Sequence, residues 1–369
     1  MIDFDLHGFA GIRLINASER DAATVTRQLG PIQASLAREP DVVIRFVDRL
    51  PLSSPVRYLG VDDAAFTDDA FLVLRSKHKA RAMVQIPFEQ IGEQCEIVCE
   101  RGLPAVPLLI PILNLTALGK GVLPLHASAF TYNGIGVLTT GWSKGGKTEA
   151  LLAFMARGAT YIGDEWVYLN GDSRKLYGIP EPIRLWDWHL NELPQYRARV
   201  GRGDRARLRA LRMLVSMEQA APDGDRSAFA PARALNRITP LLKRQLYVQM
   251  PPKRLFGSGA AALSGPFDRL FFVVSDDSSS IHVQDADPRE IAQRIAFSLQ
   301  HERLDFLAYY LKFRFAFPGR ANLLIERAAE LEQELLARSL AGKPAYVVRH
   351  PYPVSIPALF DAMRPMVEG

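Results

Sequence analysis

Cysteine is scarce: Cys95 and Cys99 are the only two in 369 residues, and they lack CxxC spacing. That excludes a disulfide framework and a zinc ribbon. Positions i and i+4 share a face of a strand, so the pair is expected as reduced thiols inside a half-buried strand. Long apolar runs are missing too. The most apolar stretch, Leu103–Leu118, is broken by Pro104, Pro107 and Pro111 and falls short of the ~20 residues a membrane span needs. The start, Met-Ile-Asp-Phe-Asp, has neither a basic nor an apolar leader region, so the expected address is the cytoplasm, with no membrane partner. No internal repeat or low-complexity tract occurs. Charge of one sign is also modest: 45 Lys+Arg less 40 Asp+Glu leaves +5. With 48% hydrophobic and 23% charged residues, the chain lies far from the composition of disordered proteins.

What is present divides into two textures. At roughly 150 residues per domain, the length suggests two domains. Over the first ~100 residues, short apolar runs alternate with turns: Gly11–Ile15, Val42–Val47, Phe71–Arg75, Ala82–Ile86 and Cys95–Cys99. Asn16-Ala-Ser-Glu-Arg-Asp opens a helical pattern that stops near Gly30-Pro31. Residues 1–103 are therefore expected as a small α+β domain, with Arg101-Gly102-Leu103-Pro104 as the junction. Beyond it come a proline-stepped apolar helix, candidate strands at Val122–Leu125 and Gly136–Thr140, a helix at Glu149–Arg157 and a strand at Tyr161–Gly163. Residues 185–245 are rich in arginine and helix formers, with Pro222-Asp-Gly-Asp as a turn. Leu270–Val274 has the continuous apolar character of a buried strand. Pro288–Leu340 reads as two or three helices broken at Pro318-Gly319, followed by a strand at Ala345–Arg349 and a short helix from Pro357.

One motif carries chemistry. Gly141-Trp142-Ser143-Lys144-Gly145-Gly146-Lys147-Thr148 matches G-x-x-x-x-G-K-[ST] in full. Glycines let the backbone turn so that successive N–H groups face a phosphate, Lys147 reaches its oxygens, and Thr148 offers a hydroxyl to Mg²⁺. The helix that begins there adds unpaired N–H groups and the positive end of its dipole. A chance match in such a chain is on the order of 1%, and a strand before and a helix after strengthen the reading of a nucleotide site.

Asp164-Glu165 follows Lys147 by 17 residues and ends a candidate strand. Carboxylates at that end of a strand in an α/β sheet can face the phosphates, as metal ligands or as acceptors of a hydroxyl proton. His126 lies 15 residues before Gly141. It reaches the loop if the strand Val122–Leu125 neighbours the loop strand; otherwise it is an ordinary structural histidine.

Leu125-His126-Ala127-Ser128-Ala129, Gly136–Thr148, Arg157-Gly158-Ala159 and Ile162-Gly163-Asp164-Glu165 follow one another over about 40 residues. Together they resemble the catalytic core of the HPr kinase/phosphorylase family and its HPr-kinase-like relatives. That resemblance implies the fold shared with phosphoenolpyruvate carboxykinases, and transfer of the ATP γ-phosphoryl group to a serine hydroxyl. It assigns nucleotide and Mg²⁺ to Gly141, Gly146, Lys147 and Thr148, a general-base or metal-side role to Asp164, the second acidic position to Glu165, and a place beside the γ-phosphate to His126. Three departures stand out. Trp142 and Lys144 sit where the family usually has an acidic or small residue and a glycine, and Glu165 replaces a second aspartate. The family's acidic-Ile-Arg-Gly run has its nearest counterpart in Pro180-Glu181-Pro182-Ile183-Arg184-Leu185. This is similar to the proline-arginine-leucine-tryptophan segment of HPr-kinase-like enzymes that phosphorylate a serine of a ribosomal peptide.

Seven arginines, Arg197, Arg199, Arg202, Arg205, Arg207, Arg209 and Arg212, crowd one segment. They suit a solvated helix face or a mobile lid, or else a contact with substrate or phosphate; no reading module points to nucleic acid. Arg184 is a candidate to stabilise charge on the transferred group. Lys253-Arg254 and Asp276-Asp277 read as surface turn and loop.

The expectation is an α/β protein: a P-loop catalytic domain of HPr kinase/phosphoenolpyruvate-carboxykinase type at 104–369, with a helical insertion at 185–245 and the small N-terminal domain before it. With ATP and Mg²⁺ as cofactors, it would phosphorylate a serine of a protein or ribosomal peptide, or the alcohol of a small metabolite. Asp164, His126, Lys147, Glu165 and Arg184 are the expected catalytic residues. Gly141 through Thr148, including Trp142, Ser143, Lys144 and Gly145, would bind nucleotide, and Thr148, Asp164 and Glu165 metal. A homo-oligomer is compatible with these features. The competing readings are a nucleotide-dependent switch or ATPase and a non-catalytic nucleotide sensor.

Overall fold

A computed structural model describes residues 2–60, 63–77, 80–172, 174–220, 239, 241–260 and 262–369. It is a mixed α/β structure built on four sheets. The first has eight strands in the order Ile2–Leu6, Ala10–Ile15, Val42–Val47, Cys95–Glu100, Ala80–Gln85, Phe71–Lys77, Ala64–Phe66, Arg57–Leu59. Each of the five expected strands is there to within two residues at either end. The three missed are a pair at one edge, Ala64–Phe66 and Arg57–Leu59, and Ile2–Leu6 at the other. Cys95 and Cys99 are both buried on one face of their strand, and burial pushes both thiols up, Cys95 to about 12.

The helix Glu19–Leu29 begins where Ser18 and Asp21 form a reciprocal capping box. Its buried residues include Ala22, Val25 and Leu29, the i, i+3, i+7 spacing of an amphipathic face. Asp21 also accepts hydrogen bonds from Arg101 Nη1 (3.1 Å) and Gly102 N (3.3 Å), which ties the helix to the expected junction.

The second sheet holds the phosphate loop. Its order is Thr160–Gly163, Ser128–Tyr132, Ile135–Thr140, Arg269–Ser275, Ala345–His350, His282–Asp285. Ile135–Thr140 runs parallel to Arg269–Ser275, which runs parallel to Ala345–His350. The central strand is buried from Leu270 to Val273, as its continuous apolar run requires. Helix Lys147–Met155 covers this sheet beside helix Ile356–Glu368, with the Phe154 ring stacked on Phe130 at 4.6 Å and edge-on to Phe360 at 5.0 Å.

A four-stranded sheet, Ser264–Pro266, Lys175–Gly178, Trp166–Asn170, Val122–His126, and a ribbon of Ile183–Trp186 with Tyr247–Met250 complete the set. One hydrophobic core runs without a break from Phe4 and Ile12 of the first sheet, through helix Leu109–Gly119, to Leu299, Phe306 and Leu340 of the C-terminal helices. Those helices are Pro288–Glu302, Leu304–Ala316, Leu323–Glu326 and Ala328–Leu340. In the arginine-rich segment, helices occupy Asp187–Glu192, Pro194–Arg197 and Arg202–Ala220. The expected turn at Pro222-Asp-Gly-Asp lies outside the described residues. No helix among the described residues is long and apolar enough to cross a membrane.

Candidate active site at the phosphate loop

Gly141 through Gly146 link the loop strand to helix Lys147–Met155, and two glycines make this path available. Gly141 has φ 156° and lies so close to the neighbouring strand that a Cβ would stand 2.4 Å from Val273 O. Gly146 has φ 109°, and its Cβ would stand 2.3 Å from His350 Nε2. Only glycine fits both the dihedral and the space. Lys144 is left-handed at φ 64°, which gives conformational meaning to the departure noted above: a lysine pays the backbone cost that glycine avoids. Its Nζ-bearing neighbour in the motif, Lys147, is buried and donates to the carbonyls of Gly141 (3.1 Å) and Trp142 (2.9 Å). The loop thus holds its own lysine by two of its carbonyls. The Trp142 indole is half exposed and stacks on His301 at 4.8 Å.

The strands Thr160–Gly163 and Ile135–Thr140 both lie antiparallel to Ser128–Tyr132, one on each side. They therefore run in the same direction, and Asp164 emerges at the same end as the loop. Thr148 Oγ1 donates to the Asp164 carboxylate, with its oxygens at 3.3 and 3.2 Å. Asp164 is only 3% exposed. Burial first, and then the charge of Glu165, push its carboxyl up to about 7, against the pull of Thr148 and Lys147.

His126 reaches this site by another route than the one expected. Its strand does not neighbour the loop strand; Ser128–Tyr132 does. Val122–His126 pairs instead with Trp166–Asn170 in the four-stranded sheet, His126 opposite Trp166. The chain then crosses from one sheet to the other within two residues, and that crossing sets His126 at the cleft. Ser128 fixes the crossing from the far side, its buried hydroxyl donating to Lys147 O at 2.8 Å.

Glu165 adopts a left-handed backbone, φ 68°, and its carboxylate turns to His126, with Oε2 3.2 Å from Nε2. Glu302, at the end of helix Pro288–Glu302, brings Oε1 to 2.8 Å from Nδ1, within ion-pair reach though not aligned as a hydrogen bond. Burial opposes a charge on the imidazole, but the two carboxylates outweigh it and raise its pKa. The histidine in turn holds both glutamates below their ordinary range.

Two further acids border the cleft. Glu149 is buried and receives His189 at 3.0 Å. Because His189 Nδ1 accepts from Trp186 N at 3.2 Å, the ring proton sits on Nε2 and is donated to Glu149. Burial works against ionisation of Glu149, and the histidine bond overcomes it, leaving the carboxyl below its usual value. Glu181 has the opposite fate: burial, then the charges of Glu165 and Asp164, push it up to about 8.

These groups share one cleft of about 490 Å³. Ser143, Lys144, Gly146, Lys147 and Thr148 form one wall, Asp164, Glu165, Glu181 and Glu302 are among the acids, and Arg184 lines it with its guanidinium over the Tyr247 ring at 4.8 Å. Gly141 and Trp142 border an adjoining apolar recess that also touches His126. Gly145 stands between the loop and His350, whose Nε2 lies 2.9 Å from its carbonyl oxygen.

None of the seven clustered arginines lines the cleft. Arg199 and Arg207 bond to backbone carbonyls of Leu255 and Tyr247, and Arg212 pairs with Asp187 at 3.2 Å. These three arginines are engaged within the fold. Nor do Lys253 and Arg254 of helix Pro252–Phe256 reach it. Among the described residues, no group of three or more His, Cys, Asp or Glu is arranged to hold a metal unaided. Four contributors carried no recognisable signal in the sequence: Glu302 and Arg27 come from elements remote in the chain, and Glu149 and His189 look like ordinary helix residues.

The chain matches none of the models of known protein families, and no curated protein matches it.

Proposed function

We propose that the protein is an ATP-dependent phosphotransferase of HPr-kinase-like type, moving the γ-phosphoryl group to an alcohol, with the phosphoenolpyruvate-carboxykinase-like fold in residues 104–369. The observation that carries this reading is the contact of Thr148 with the buried, proton-attracting Asp164 beside a phosphate loop of full motif. The donor set suits Mg²⁺: Thr148 and Asp164 offer hard oxygens side by side, and phosphate oxygens would complete the shell. Bound there, the ion would neutralise charge on the phosphate oxygens.

The chain's own residues then divide the work. Lys147 exchanges the carbonyls of Gly141 and Trp142 for phosphate oxygens, and the unpaired N–H groups at the helix start are available to the same phosphates. Asp164, its carboxylate set against the Thr148 hydroxyl, takes the proton of the acceptor hydroxyl. The acceptor oxygen forms its bond to the γ-phosphorus as the bond to the bridging oxygen breaks, and ADP leaves. His126, held between Glu165 and Glu302, keeps positive charge near the transferred group, and Arg184 adds to it. Burial of Lys147 and Asp164 makes their interactions stronger than they would be in water.

The test is to incubate the protein with Mg²⁺, γ-labelled ATP and a cell extract, with K147A as control. Label on a discrete protein, peptide or metabolite, lost in the variant, is the expected result. Label released only as free phosphate would instead favour a switch or ATPase, and bound but unreacted nucleotide a sensor.

A further inference from the structure

One wall of the cleft comes from the other end of the chain. Helix Glu19–Leu29 carries Arg27 and Gln28 into its lining, beside Arg184 and Gln249, which are opposite one another in the ribbon. This wall is braced. Gln28 clamps the backbone of Val106 with both ends of its amide, Oε1 accepting at 2.8 Å and Nε2 donating at 3.0 Å. Gly30 follows at φ 72°, packed so closely on the segment leading to Arg184 that a Cβ would stand 2.6 Å from Pro180 Cγ and from Pro180 O. Arg27 is itself steadied by a 2.8 Å bond from Nη2 to Thr24 Oγ1. The cost of orienting an arginine at this rim is thus met before anything binds.

The charges of the cleft do not balance internally. Glu165 and Glu302 both face His126, and Glu149 accepts the ring N–H of His189. Arg27, Arg184 and Lys144, by contrast, have no carboxylate within ion-pair distance among the described residues, although all three line the cleft. On the reading above, Lys144 and Lys147 meet the nucleotide phosphates and Arg184 the transferred group. Arg27, from the N-terminal helix, is left over. An arginine at a prearranged rim suits the planar oxygens of a carboxylate or phosphate. A cleft of about 490 Å³ that also receives the nucleotide phosphates leaves room for a small molecule.

We propose that the phosphoryl acceptor is a small alcohol that also carries a carboxylate or phosphate, and that Arg27 binds this anion. The inference rests on the phosphotransferase reading and makes the N-terminal helix part of the substrate site.

Four probes test it: glycerate, glycerol 3-phosphate, glycerol, and an uncharged serine-containing peptide. Each is offered to the full chain, with label transfer from γ-labelled Mg-ATP and calorimetric binding in the presence of Mg-ADP as separate readouts. R27A and R27K accompany the wild type; Arg27 is exposed, so both variants fold. The expected result is binding and labelling of glycerate or glycerol 3-phosphate, the better of the two identifying the anion, with little for glycerol or the peptide. R27A should weaken the anionic probe about tenfold or more, R27K less, with ADP affinity unchanged in both. Equal use of glycerol or the peptide, an anion effect untouched by R27A, or no anion binding at all would overturn the proposal. Arg27-dependent anion binding without any transfer would leave the subsite standing and defeat the kinase reading; transfer to an uncharged acceptor would do the reverse.

Discussion

The hydroxyl of Thr148 and the carboxylate of Asp164 are hydrogen-bonded at 3.2 Å although 16 residues separate them. This contact joins the start of the phosphate helix to the end of an edge strand, and it decides what each residue can do. Asp164→Asn preserves the contact and removes the proton acceptor. It is expected to leave nucleotide affinity within a few-fold of wild type while lowering turnover by about 10²–10⁴-fold. Equilibrium nucleotide titration beside a single-turnover transfer assay checks both halves; a loss of binding equal to the loss of turnover would contradict the assignment.

Asp164 also leaves a mark on stability. Its carboxyl is near 3.8 in the unfolded chain and is raised to about 7 in the fold. Between those values the folded state holds a proton that the unfolded state has lost, so stability falls as pH rises through this window. Glu181, raised from 4.5 to about 8, acts in the same direction. D164N and E181Q should therefore each raise the melting temperature of the nucleotide-free protein more at pH 8 than at pH 5. Thermal unfolding across that range reads the difference.

Gly146→Ala meets two obstacles at once, a positive φ and a methyl placed 2.3 Å from His350 Nε2. The expected cost is about 2 kcal/mol or more, and nucleotide binding should go with it because the ring of His350 cannot move without disturbing Gly145 O. Denaturant unfolding and nucleotide titration on the same preparation test this.

Glu149 and His189 form a buried pair in which each satisfies the other. Glu149→Ala leaves the ring N–H of His189 without an acceptor in the interior. A loss of roughly 3 kcal/mol is expected, as for other broken buried pairs, and the double variant E149A/H189A should lose less than the sum of the two singles. A double-mutant cycle gives the answer.

Trp142 offers an optical reporter. It lies in the phosphate loop, half exposed and stacked on His301, so ordering phosphates against the loop should change its emission. Tryptophan fluorescence is expected to shift on addition of Mg-ADP in the wild type and in D164N, and the shift should vanish in W142F.

Much of this architecture was legible in the residues. The phosphate loop, the helix after it, the acidic pair at a strand end and the buried strand Leu270–Val274 all rest on local rules of turn chemistry and periodicity, which operate over a few residues. The expected break at Pro318-Gly319 falls just after helix Leu304–Ala316 for the same reason, whereas the interruption at Arg303, with no glycine or proline to mark it, helps make four helices of the expected two or three. The arginine cluster shows the converse. Composition marked it as a contact surface, while the partners of Arg199, Arg207 and Arg212 within the protein came only from the fold.

Sequence by itself determined which groups can do chemistry, because the backbone freedom of Gly141 and Gly146 and the donors on Lys147 and Thr148 are properties of those residues and their spacing. Tertiary structure alone decided what surrounds them. Strand pairing put His126 in a different sheet from the loop and still delivered it to the cleft. Packing brought Glu302 to His126 from 176 residues away and carried Arg27 from the first helix into the same cleft. Such contacts arise from the closure of a common hydrophobic core, whose long-range pairings leave no periodic trace in the chain.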